Sequence, residues 1–208
     1  MRLPDSYFHE MYAASDDPWG FASRWYEQRK YALTLAALTK PRYRSAFEPG
    51  CSIGVLSEGL APRCDRLLST DVSPRAVDLA RQRLAGHAHV DVRVGDIAAD
   101  WPSQPFDLVV LSEVLYYLDA DSLADLIARL PAALAPGGEV VAVHWRWPVD
   151  EYPQSGDDVH AALAGTPMVT STSYSDTDFR LDVLHLSPER SVAQREGLID
   201  SSRLYDPA

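Results

Sequence analysis

Cysteine is nearly absent: the 208 residues include two, Cys51 and Cys64. Neither stands at a metal-ligand spacing, so no metal is expected. Two thiols in a chain of this size exclude a disulfide scaffold and point to a reduced, cytoplasmic setting. Basic charge is scarce as well. Nineteen Lys and Arg face thirty Asp and Glu, for a formal net charge of −11. That balance argues against nucleic acid or an anionic membrane as partner, because phosphate binding needs a basic face. No apolar stretch is long enough to span a bilayer. The first residues, Met1-Arg2-Leu3-Pro4-Asp5, lack the apolar centre of a signal peptide. Internal repeats and low-complexity tracts are missing too. What remains is 46% hydrophobic, enough for one α/β domain with a sizeable core and short for two.

The stretch that organises the chain is Phe47-Glu48-Pro49-Gly50-Cys51-Ser52-Ile53-Gly54. It reads as the end of a buried strand (Tyr43 to Phe47), a glycine turn, and a helix on which Ile53, Leu56 and Leu60 recur. Gly50 suits a turn whose backbone approaches a ligand, and Gly54 lets the new helix pack close to the sheet. Amide groups at such a helix start favour an anionic or polar group. A plain strand-to-helix turn would look the same. The later strand ends argue for a site. Asp71 closes a second apolar run, Arg66 to Val72, about twenty residues on, where an acid can accept from both ribose hydroxyls of an adenosine. Val90 to Val94 alternates as a strand and ends in Gly95-Asp96-Ile97, a carboxylate and an apolar residue placed to bracket an adenine. Phe106 to Glu113 is a fourth strand with Ser112 and Glu113 at its tip. Polar groups at four successive strand ends mark where open α/β sheets bind ligands.

These residues, with Leu134-Ala135-Pro136-Gly137-Gly138, resemble the ordered motifs of class I S-adenosylmethionine (SAM) methyltransferases over roughly residues 20 to 187. A dinucleotide dehydrogenase would show Gly-x-Gly-x-x-Gly. Here Ser52 holds the second position, and Gly54 is out of register. Asp17-Pro18-Trp19-Gly20-Phe21, Arg24-Trp25-Tyr26, Ser112 to Leu118, Val143-His144-Trp145-Arg146 and Gly156 to His160 are similar to the nodulation protein S type. That type N-methylates the deacetylated terminal glucosamine of a chitooligosaccharide. The resemblance implies a Rossmann-like sheet of seven strands, mostly parallel with the last antiparallel, and helices on both faces. It also implies SAM as methyl donor, with S-adenosylhomocysteine (SAH) as product. Trp19, Arg29, Gly50, Cys51, Ser52, Asp71, Val72, Asp96, Ile97, Ser112 and Glu113 are the expected cofactor residues.

The remaining elements follow from periodicity. Residues 5 to 21, dense in aromatics, either pack on the sheet or form a lid over the cofactor. A helix from Ala22 to Leu38 places Trp25, Arg29, Leu33 and Ala36 on one face. An inward Arg29 then needs an anion: Glu48, Asp71 or the SAM carboxylate. Ser73 caps a helix from Pro74 to Leu84. His87 and His89 fall in a polar turn as solvated residues. Trp101 is a core plug or an adenine wall. Leu123 to Leu134 is an amphipathic helix that Pro131 should bend or shorten. Gly137-Gly138 then turns into the strand Val140 to Trp145. Trp147 to Gly156 is a long loop of the kind that carries function. A short helix from Asp157 to Ala164 precedes two strands, Met168 to Tyr174 and Phe179 to Leu186, joined by a hairpin turn. Residues 1–187 thus form one domain, and 188–208 a loosely attached tail, in a monomer or a homodimer.

Methyl transfer from a sulfonium is an in-line displacement, so the protein mainly aligns acceptor and methyl group. A neutral amine already has its lone pair, whereas an alkyl hydroxyl needs a base during attack. Glu113, His144 and Tyr117 are the catalytic candidates, and Tyr116, Tyr117, His144, Arg146 and His160 the acceptor-binding ones. Glu113 either orients an ammonium and takes its proton, or bonds a neighbouring backbone group or Arg146. His144 is an acceptor residue or a satisfied structural one. The reading is a methyltransferase for a small-molecule acceptor, the amine of an amino sugar or sugar-derived metabolite. Two alternatives stand beside it. One is O-methylation of a hydroxyl, carboxylate or phosphonate; the other is a non-catalytic SAM-binding sensor.

Overall fold

A computed structural model of the chain describes residues 2–200. Five short apolar runs lie side by side as parallel strands: β1 (Ala46–Pro49), β2 (Leu67–Asp71), β3 (Val90–Val94), β4 (Phe106–Ser112) and β5 (Leu134–Trp145). The hairpin of β6 (Val169–Ser175) and β7 (Phe179–His185) completes the sheet, with β7 antiparallel to both β5 and β6. The order is β3-β2-β1-β4-β5-β7-β6. Six strands therefore share a direction and only β7 opposes them, as expected. Chain order reverses between β1 and β4, and the crevice at their carboxyl ends is where such sheets bind ligands.

The central strands are buried on both faces, and their period of two sorts them into two cores. Val109 and Leu111 of β4 join Val140 and Ala142 of β5 on one side. That side is covered by α5 (Ala120–Ala133) and α6 (Gly156–Ala164). Leu108, Val110, Val141 and Val143 face the other way, onto α2 (Trp25–Ala37) and α3 (Val55–Leu60). The fourth helix, α4 (Pro74–Arg83), capped by Ser73 as expected, packs Val77 and Ala80 against Val92 of β3. The first, α1 (Asp5–Ala14), crosses the carboxyl ends of the strands.

Several boundaries differ from the sequence reading. The first strand starts at Ala46, because the Arg44 and Ser45 amides donate to the Asp107 carboxylate instead of to a neighbouring strand. Helix α5 runs through Pro131 to Ala133. Gly137 and Gly138 lie within β5 as an irregularity in the β4–β5 register; a Cβ on Gly138 would sit 2.8 Å from the Phe106 carbonyl. In the expected tail, Ser191 caps a single turn, α7 (Val192–Arg195), and Arg195 donates to the Thr39 carbonyl at 2.6 Å. Residues 201–208 of that segment lie outside the described residues.

The largest difference is the rotation of α2. Its buried residues are Glu27, Lys30 and Thr34, while Trp25 is 73% exposed. Helical spacing fits either face, and hydropathy alone picks the apolar one. Here the polar face is inward because its groups pair there: Thr34 Oγ1 donates to the Lys30 carbonyl at 2.9 Å, and the Lys30 ammonium lies between two carboxylates.

Candidate active site

The strand-to-helix turn after β1 takes left-handed backbone at Gly50, Ser52 and Gly54, with φ of 70°, 52° and 78°. Ser52 adopts this conformation without being glycine. Its amide donates to Asp71 Oδ2 at 2.9 Å, and its hydroxyl shares a 2.5 Å hydrogen bond with Tyr12. Gly54 precedes α3, and a Cβ there would lie 3.1 Å from that of Ala80. The glycine thus serves close approach to α4 rather than to the sheet.

Asp71 accepts a second amide, from Ser73, at 2.9 Å. Two amides occupy one site on each oxygen, and a carboxylate has about four such sites. Burial nonetheless pushes the group up to about 6. Glu48, below it, accepts from the hydroxyls of Ser57 (2.5 Å) and Ser69 (2.9 Å), and burial drives it up to about 7. At the third tip, Asp96 accepts the Ala98 amide at 2.8 Å and pairs with Arg2 at 2.6 Å.

The cleft above these tips encloses about 990 Å³, part of it open to solvent. Of the expected cofactor residues, Trp19, Gly50, Cys51, Ser52, Asp71, Val72, Asp96, Ile97, Ser112 and Glu113 line it. Arg29 does not. It points to the β6–β7 turn, where Asp176 lies 2.7 Å away, so neither Glu48, Asp71 nor a bound ligand is its partner. Residues 2 to 21 contribute Leu3, Phe8, Tyr12, Trp19 and Phe21 to the lining. This segment touches each strand tip in turn. Tyr12 meets Ser52, His9 Nε2 approaches the Val72 carbonyl (3.2 Å), Arg2 meets Asp96, and the Leu3 amide donates to the Tyr117 carbonyl (3.0 Å). Trp101 plugs the core edge-on to Phe47 and is absent from the cleft lining.

On the β4 side, Glu113 follows the strand with a φ of 59°, left-handed for a residue with a Cβ. Its Oε2 accepts from Tyr116 at 2.5 Å, and its Oε1 lies 3.3 Å from Lys30 Nζ. Tyr117 lines the cleft and meets Phe8 edge-on at 4.9 Å.

The other acceptor candidates are placed elsewhere. His144 and His160 are both 0% exposed. The Leu115 amide donates to His144 Nε2 at 3.3 Å, and His144 Nδ1 lies 3.2 Å from His160 Nε2. His160 Nδ1 in turn is 2.6 Å from Asp182 Oδ2. Because an amide only donates, the His144 proton sits on Nδ1 and the His160 proton on Nδ1, aimed at Asp182. Burial holds the His144 imidazole well below its usual range. These histidines are therefore struts beneath the Leu115–Tyr117 turn, not acceptor contacts or bases. Arg146 pairs with Asp157 at 2.9 Å over a separate hollow, and Tyr116 is 3% exposed, outside the cleft lining.

Among the residues at the site that escaped the sequence reading are Glu27, Lys30 and Tyr31, the last lining the cleft. The available signal was compositional. Lys30 is one of only two lysines in the chain, set between Tyr26 and Tyr31 with Glu27 one turn back.

Strand order, the single opposed strand, and a glycine turn after β1 facing an acid at the end of the neighbouring β2 define the class I methyltransferase fold. A family model for nodulation protein S matches residues 7–149, more than half of the chain, and the chain belongs to that family. Nodulation protein S of Rhizobium tropici is 38% identical over 130 residues, 62% of this chain and 55% of that protein. The chain thus spans little more than half the length of that relative, and 60% of the one from Sinorhizobium fredii. Among solved structures, the N-methyltransferase NodS of Bradyrhizobium japonicum WM9, in complex with SAH, is 28% identical. It superposes with a TM-score of 0.77 over 86% of this chain and 97% of that one. A putative methyltransferase from Pseudomonas syringae is 49% identical, with a TM-score of 0.69 over 77% of this chain and 99% of that one.

Proposed function

We propose that this protein is a SAM-dependent N-methyltransferase acting on the amine of a small acceptor of the amino-sugar kind. The cleft's own chemistry fits the donor. Asp71, with lone pairs left after its two amides, would hold the ribose diol, Asp96 and Ile97 the adenine, and the Gly50–Ser52 backbone the amino-acid end. When bound, SAM supplies a methyl carbon on a positively charged sulfur. The chain's residues do the rest: they orient the acceptor, exclude water and accept a proton.

The observation that carries the amine reading is the setting of Glu113. Its carboxylate accepts from Tyr116 and lies beside the Lys30 ammonium at the cleft wall, placed to hold an ammonium and take its proton. Once neutral, the amine has the lone pair the displacement needs, and alignment does the remaining work. A carboxylate or phosphonate acceptor would want free basic groups. Among the described residues, the one arginine lining the cleft, Arg2, is engaged by Asp96 and Asp5. The Bradyrhizobium relative, named as an N-methyltransferase, supports the same choice. The buried free thiols of Cys51 and Cys64 support a cytoplasmic setting.

Methyl-labelled SAM offered with D-glucosamine, its β-linked oligomers and polyamines tests the proposal. An N-methyl resonance in the product NMR spectrum is expected; an O-methyl resonance overturns the acceptor assignment.

A further inference from the structure

Helix α2 brings to the wall of the cleft more charge than orienting an ammonium calls for. Lys30 is 1% exposed and Glu27 is 5% exposed. The lysine Nζ lies 3.0 Å from Glu27 Oε2 and 3.3 Å from Glu113 Oε1. It is boxed by the rings of Tyr26 (4.9 Å) and Tyr31 (5.7 Å). A lone Lys30–Glu113 pair would be neutral and would offer little to an incoming cation. The second carboxylate changes the sum: one ammonium between two carboxylates leaves one negative charge, and Glu113 is the member that faces the cleft.

We infer that Glu27 and Lys30 are positioning residues for the acceptor. Lys30 lies beside one oxygen of Glu113, and Glu27 offsets the lysine's charge, so that Glu113 meets the acceptor as an uncompensated carboxylate. The inference rests on the amine reading above. Geometry favours this over a purely structural ion pair. Glu27 alone would satisfy Lys30, yet Glu113 is held beside it on left-handed backbone, with Tyr116 gripping the other oxygen at 2.5 Å. Strain of that kind persists where the surroundings over-determine a functional conformation.

The test uses the full chain saturated with SAH, titrated with D-glucosamine and with uncharged N-acetylglucosamine. The wild type is expected to prefer the cation. Glu27→Gln should weaken glucosamine binding about tenfold, the loss of one charge-assisted interaction, and leave N-acetylglucosamine and SAH affinities unchanged. Lys30→Arg, which keeps the charge, should retain the preference. A Glu27→Gln protein as selective as wild type overturns this inference alone. So does one that loses both sugars and SAH together, since that is structural damage. A wild type indifferent to charge overturns the amine reading and this inference with it.

Discussion

On the side of the cleft proposed for the cofactor the polar groups are backbone amides and carboxylates supplied by adjoining strand–loop units. Asp71 takes amides 19 and 2 positions away, and Glu48 a hydroxyl 9 positions away. On the side proposed for the acceptor the groups are side chains from α2, the end of β4 and the loop beyond β5, distant in sequence and held by one another. Glu113 is gripped by Lys30 and Tyr116, and Tyr116 stacks on Tyr152 at 5.0 Å. The first side depends on backbone geometry and tolerates the loss of one side chain. The second is a charge network in which each member needs the others.

The strongest way to break that contrast is Lys30→Met. Removing the cation strands Glu27 and Glu113 without their counter-charge, and breaking a buried pair in this way costs about 3–5 kcal/mol. Urea denaturation should show the loss; a change within ~1 kcal/mol would mean the network contributes no more than a surface pair.

Acid titration acts on the buried groups with two opposite signs. Glu48 and Asp71 are pushed up to about 7 and about 6, so between roughly pH 4 and those values the folded state holds more protons than the unfolded one, and stability falls as pH rises. His144 works oppositely. Its imidazole is held well below the usual range, so below about pH 6.5 the unfolded chain takes up the proton and stability falls as pH drops. In Glu48→Gln one falling contribution is gone. Its stability between pH 4.5 and 6.5 should climb with pH more steeply than wild type, by up to about 1.4 kcal/mol per pH unit. Parallel curves for the two proteins would remove Glu48 as a raised group.

Smaller effects compare the cofactor side with its cover. Asp71→Ala should weaken SAH binding by about 1–3 kcal/mol, the usual cost of unpaired buried partners, with the fold retained; calorimetry that finds equal affinity takes Asp71 out of the site. Tyr12→Phe removes one hydroxyl contact with Ser52 and should cost about 0.5–1.5 kcal/mol of SAH affinity. Hydrogen exchange in α1 should slow on SAH binding in the wild type and slow less in the variant. Protection in α1 that ignores SAH would make residues 5 to 21 ordinary packing rather than a lid.

Much of the strand-tip lining of the cleft was legible in the sequence. The turn at Gly50, the acid at Asp71, and Asp96 and Ser112 at later strand tips each sit at the end of one short strand, and strand alternation and glycine placement are written locally. The acceptor side was read poorly for a related reason. His144, His160 and Arg146 look like catalytic equipment in a one-dimensional list, yet two are buried struts and the third braces a loop. Nothing local distinguishes a histidine that faces a cleft from one that faces another histidine.

Seven strands, their connecting helices and the polar end of the sheet follow from the chain alone, because the hydrophobic period and turn chemistry act over a few residues at a time. Which face of α2 turns inward is set only by packing. Trp25, Arg29 and Leu33 form as regular a stripe as Glu27, Lys30 and Thr34. The polar stripe wins because a carboxylate at the end of β4 waits to pair with Lys30, and a buried ammonium is stable only beside such partners.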